Sequence, residues 1–193
     1  NIYKFNQPRQ TMIIWISATL AIIIAITFLI YYNRFVTLSH QIDNALSQID
    51  VQLRKRADLI PNLLSAVKGY MKHERAAIKE VTDARKAMMS AKGTEKKMKA
   101  GNQMQEALKS IFAIAEGYPD LKANTNFLQL QQELSAIEDK VAYARQFYND
   151  GIMTYNVMTH KVPGIWFASI YGFKPKEYLK IPEAAKAVPK VEF

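Results

Sequence analysis

TMIIWISATLAIIIAITFLIYY, residues 11–32, contains no charged residue, no proline and no glycine. As a helix rising about 1.5 Å per residue it reaches roughly 33 Å, enough to cross a hydrocarbon core of about 30 Å. Trp15 lies near one end and Tyr31 and Tyr32 at the other, where amphipathic rings settle in the headgroup layer, and Lys4, Arg9 and Arg34 stand outside them. The stretch reads as a membrane-spanning helix. A cleavable signal peptide is the competing reading, but its apolar core would be shorter, and Tyr31-Tyr32-Asn33-Arg34 offers no small-x-small cleavage pattern. The chain begins at Asn1 and not at Met, so a few residues can precede it.

The remaining chain of about 160 residues has room for one domain of ordinary size. There is no cysteine, which excludes disulfides, thiolate metal sites and a cysteine nucleophile. All seventeen acidic residues and twenty-four of the twenty-six basic ones follow the span, leaving that part with a net charge of about +7. Such a charge is most often that of a solvated surface, and otherwise serves anionic lipid, nucleic acid or an acidic protein surface. Lys4 and Arg9 against Arg34 weakly favour a cytoplasmic N-terminus, but the cluster Arg54, Lys55 and Arg56 lies only some twenty residues beyond the span. The side of the membrane stays open.

Past Tyr32, Leu38, Ile42, Ala45, Ile49 and Leu53 keep a spacing of three or four, so the spanning helix is expected to run on as an amphipathic stalk. Pro61, with Asp58 placed to cap a new helix, predicts a turn or kink. From Pro61 to Lys92 the heptads Leu63, Val67, Tyr70, Glu74, Ala77, Val81, Ala84 and Met88 predict a coiled-coil-like helix, and the Glu74 carboxylate on that seam calls for a partner, with Lys72, His73 and Arg75 nearest in sequence. Gly93-Thr94-Glu95 marks a stop and a new cap, and Met104, Leu108, Ile111, Ala115 and Tyr118 form a third stripe. Gly117-Tyr118-Pro119-Asp120 ends it, and a fourth, long pattern runs from Phe127 to Tyr155.

The expected organisation is a short flank at 1–10, the span at 11–32, and an all-α antiparallel four-helix bundle at 33–160, with helices at about 33–58, 61–92, 94–118 and 120–160. Residues 161–193 hold an aromatic segment and an extended tail. The aromatic segment IWFASIYGF, residues 165–173, is too short to span a bilayer. It either folds back onto the bundle, the favoured reading, or lies on a membrane or a partner. The tail from Lys174 has three prolines, five lysines and no pattern.

After QIDVQLRKRADLIPNLLSAVKGYMKHE come YPDLKANTNFLQLQQEL, AIEDKVAYARQFYNDGIMTYN, GFKPKEYL and the terminal VPKVEF. In this order they resemble the LemA family of bacterial membrane proteins. The resemblance implies a single N-terminal anchor and an antiparallel four-helix bundle in the bacterial cell membrane. It implies little chemistry: members are described as of unknown function, with the short N-terminus proposed to lie outside the cell. Some occur beside membrane proteases of quality control, and one branch is associated with magnetosome membranes.

No catalytic, cofactor or metal site is expected. No glutamate has a histidine three residues on, His40, His73 and His160 fall in separate segments, and neither a G-x-S-x-G turn nor a phosphate loop is present. The residues therefore point away from an enzyme, a small-molecule substrate and, with basic residues interspersed among acids, a nucleic acid. Two features suggest association with a second copy or another membrane protein. Ser17, Ala21 and Ala25 place short side chains on one face of the span, and Trp166, Phe167, Tyr171 and Phe173 form an apolar patch if left uncovered. The alternative is a module that holds anionic lipid with Arg54, Lys55 and Arg56, the cluster beginning at Lys96, and the tail. Asn62, Asn124, Asn126, Asn149 and Asn156 read first as caps and interhelical bonds, and alternatively as a shared polar patch.

Overall fold

The computed structural model of the chain describes residues 7–179, with side chains from residue 9. Lys4 in the expected flank and residues 180–193 of the expected tail lie outside the described residues. Within them, regular structure is entirely helical: α1 (Gln7–Lys68), α2 (Arg75–Ser90), α3 (Thr94–Ala115), α4 (Pro119–Lys122), α5 (Thr125–His160) and α6 (Gly164–Tyr171). The described residues form two compact units, 7–42 with 151–177 and 43–150 with 178–179.

In the first unit α1 carries the apolar stretch, and it is the one helix among the described residues long and apolar enough to cross a membrane. Side chains from Thr11 to Ile26 are all exposed. The hydroxyls of Ser17, Thr19 and Thr27 donate to the carbonyls of Ile14, Trp15 and Ile23, so none of these polar groups needs water. Gly164, at the start of α6, is required by close approach: a Cβ there would fall 2.2 Å from the Met158 carbonyl oxygen. At the other end Gly172 takes the left-handed conformation, φ +73°, and the Phe173 N–H returns to the Ala168 carbonyl. From Phe173 to Leu179 the chain is without helix.

In the second unit one apolar core takes residues from five helices: Leu53 and Ile60 of α1, Val81 of α2, Ile111 of α3, Leu121 of α4, and Phe127 and Val141 of α5. The break expected at Pro61 is absent, since α1 continues through it to Lys68. Proline has no N–H to give the carbonyl four residues back, that of Ala57. Arg85 of α2 supplies the missing donor, its Nε lying 3.0 Å from the Ala57 oxygen. The chain instead turns at residues 69–74, which splits the expected helix 61–92 and takes Tyr70 and Glu74 out of its seam. The Glu74 carboxylate accepts from the Tyr118 hydroxyl at 3.1 Å, not from its neighbours in sequence. The expected stop at Gly93 is observed, although Gly93 itself is the cap and Thr94 the first helical residue. The expected helix 120–160 becomes the single turn α4 with Pro119 at its start, then α5, capped by Asn124, whose Oδ1 accepts from the Phe127 N–H at 3.1 Å.

Candidate association surfaces

The first unit is held by rings. Phe167 of α6 meets Phe28 edge-on at 4.7 Å and stacks on Tyr31 at 4.6 Å, while Tyr171 lies 5.8 Å from Phe28 and 5.1 Å from Tyr32. Phe35, fully buried, stacks on Phe173 at 4.7 Å and meets Tyr155 of α5 at 5.5 Å. The expected aromatic patch is thus divided. Phe167, Tyr171 and Phe173 face α1 or α5, and Trp166 alone of the four points outward, 60% exposed. The exposed apolar residues beside it are Val162, Ile165 and Ile170.

Beyond α6 an asparagine pins the chain. The Asn156 amide donates to the Lys176 carbonyl and accepts from the Lys176 N–H, both at 2.8 Å, as one peptide group would for another. The Lys176 ammonium then donates to Ser39 Oγ at 2.9 Å and lies 5.4 Å from the centre of the Tyr155 ring. In the second unit Asn149 Oδ1 accepts from the Leu179 N–H at 3.0 Å. Asn62 and Asn126 line one polar groove of about 550 Å³ with Ser65, Gln129 and Glu133. The five asparagines therefore divide between main-chain bonds and one groove.

Ser17, Ala21 and Ala25 are exposed and share one face of α1. At about 100° per residue that face is the side opposite Met12, Ile16, Thr19 and Ile23, and it continues into the side on which Phe28, Tyr32 and Phe35 meet the rings of α6 and Phe173.

The basic cluster does not hold together as a surface. Arg54 and Lys55 are exposed, but Arg56 is 3% exposed and pairs with Glu138 of α5. Its spacing explains why: Arg56 follows Leu53 by three and precedes Ile60 by four, which sets it on the buried stripe, and that spacing was the available signal. Burial, and then the Arg145 charge, push the Arg56 guanidinium down to about 10, and burial lowers Arg145 as well. Sequence reasoning also missed an apolar groove of about 490 Å³ lined by Ala45, Gln48 and Gln52 of α1 and by Tyr143, Ala144 and Phe147 of α5. Tyr143 and Phe147 are exposed one helical turn apart, a pairing that lay outside the seam of Val141, Ala144 and Tyr148. Among the described residues no group of three or more His, Asp or Glu side chains is arranged to hold a metal.

A model of the family described as the LemA family matches residues 45–193. Magnetosome protein MamQ of Magnetospirillum gryphiswaldense is 28% identical to this chain, the alignment covering 89% of the chain and 72% of that protein. Magnetosome proteins MamQ 1 and MamQ 2 of Paramagnetospirillum magneticum are each 27% identical, over 80% of the chain and 66% of their own length.

Proposed function

We propose that this chain, which belongs to the LemA family, is a single-pass, membrane-anchored helical scaffold that performs no enzymatic step and associates with itself or with another membrane protein. In this reading the helical segments of the second unit form an antiparallel four-helix bundle. One observation carries the proposal: α1 is a single helix that begins in an apolar stretch exposed from Thr11 to Ile26 and ends in residues buried in a protein core. Such a helix passes directly from anchor to domain, and its apolar part has bilayer or another helix as its only favourable surroundings.

The face bearing Ser17, Ala21 and Ala25 supports self-association in the span, because short side chains let two backbones approach closely. The groove beside Tyr143 and Phe147 supports a protein partner outside it. A place in membrane protein quality control fits an adaptor of this kind. The relatives named for the magnetosome favour a second reading, in which the chain organises an anionic membrane of that type. With Arg56 paired to Glu138 and Lys97 to Asp50, that reading rests on Arg54, Lys55, Lys96, Lys99 and the lysines of the tail. The decisive experiment compares the mass of the chain in mild detergent with that of a variant carrying Ala21→Leu and Ala25→Leu. The scaffold reading expects a defined oligomer that the variant loses, and a monomer in both cases overturns self-association through the span.

A further inference from the structure

We infer that α6 is a membrane foot: Val162, Ile165, Trp166 and Ile170 sit in the boundary between headgroups and acyl chains of the bilayer that takes residues 11–32. The depth follows from contacts already described. Phe167 and Tyr171 on the inner side of α6 touch Phe28, Tyr31 and Tyr32. These three are the last turn of the apolar stretch, so a bilayer that covers the stretch reaches the level of α6.

The chemistry of the outer side fits that place. From Val162 to Phe173 there is no charged residue. Ile165, Trp166, Ser169 and Ile170 fall on one side of α6, all exposed, with Ile170 63% exposed, while Phe167 and Ala168 are buried on the other. A helix presenting isoleucine and tryptophan to water would expose apolar surface with nothing to cover it, whereas the same residues at the acyl boundary are covered without a further partner. Lys161 and Lys174, both exposed, bracket the helix, and Arg34 follows the span on α1. Cations in these positions suit the headgroup layer, where their apolar stems lie along the acyl boundary and their charges stay among phosphates. The Tyr171 hydroxyl, 3.4 Å from the Phe28 carbonyl oxygen, turns its polar end inward to the protein.

The inference rests on residues 11–32 being the span, and the two tryptophans of the chain allow that premise and the foot to be tested apart. The chain carrying Trp15→Phe, with Trp166 as its sole tryptophan, is reconstituted in vesicles of phosphatidylcholine and phosphatidylglycerol whose acyl chains bear bromine either near the glycerol end or near the methyl end. A foot predicts loss of Trp166 emission with bromine near the glycerol end, a smaller loss with bromine near the methyl end, and little loss with aqueous acrylamide. Ready quenching by acrylamide with no effect of brominated lipid overturns it, because α6 then faces water. Protection from both quenchers also overturns it, because a second copy or another protein then covers the helix. The chain carrying Trp166→Phe reports on Trp15: emission untouched by either brominated lipid refutes the span itself, whereas quenching of Trp15 together with an unquenched Trp166 refutes the foot alone.

Discussion

The two units hold their helices together by different means. Residues 7–42 with 151–177 rely on rings and on side-chain bonds to main chain: Phe28, Tyr31, Tyr32 and Phe35 of α1 meet Phe167, Tyr171, Phe173 and Tyr155, and Asn156 clasps Lys176. Residues 43–150 rely on a mainly aliphatic core, with a ring pair at Phe112 and Phe127, crossed by charged groups: Arg56 is paired to Glu138, Lys97 to Asp50, and Arg85 is bound to the Ala57 carbonyl. A ring contact loses little where water is scarce, while an unpaired charge there is expensive. The choice of cross-link therefore tracks how close each part of α1 lies to its apolar end.

Five substitutions break or sharpen this contrast. Phe35→Ala should act most strongly, since it empties a site closed by two rings. Loss of a buried phenylalanine costs about 3–5 kcal/mol, and protease cleavage near residues 173–177 should rise while the core of residues 43–150 keeps its protection. Equal loss of protection in both regions would show that the units are not separately held. Glu138→Ala leaves the Arg56 charge buried without its partner. The cost should be about 2–3 kcal/mol, at or below the low end for a fully buried pair because Glu138 is 30% exposed. Chemical unfolding monitored by circular dichroism measures it.

Arg85→Met should cost on the order of 1–2 kcal/mol by leaving the Ala57 carbonyl unpaired. Pro61→Ala restores a donor in α1 and should cancel most of that loss, so the double-mutant cycle, read by unfolding, tests whether the two residues are coupled. The smallest effect is that of pH on Tyr118. Its hydroxyl is held above the ordinary range, first by donating to Glu74 and then by burial and the Glu74 charge. The folded chain thus keeps this proton longer than the unfolded one. The stabilisation is complete below the usual tyrosine range of about 10 and is lost as pH rises through the higher folded value. Tyr118→Phe should remove that part of the alkaline decline in melting temperature, and an unchanged decline would mean the hydrogen bond is not formed.

Much of the fold can be read from the sequence because the information is local. The apolar stretch, the stop at Gly93 and the cap at Asn124 each depend on neighbours within a few residues. Pro61 was misleading for the opposite reason: what keeps α1 intact there is Arg85, in another helix. The heptads of residues 61–92 hid the turn at 69–74, since Tyr70 and Glu74 keep the register even though Glu74 finds its partner in Tyr118. The division of the aromatic segment depends on which side of a short helix meets α1, and eight residues carry too little periodicity to say. Arg56 could have been read from its spacing, but its charge argued for a surface.

The bond from Arg85 to the Ala57 carbonyl makes Pro61 a conditional joint. While α2 is docked, the backbone of α1 from residue 57 to residue 68 is complete and stiff. Without α2 in place, the same stretch would lose its borrowed link, and the Ala57 carbonyl would be left without a donor. Stiffness at this point of α1 is therefore a property held by a residue of a different helix.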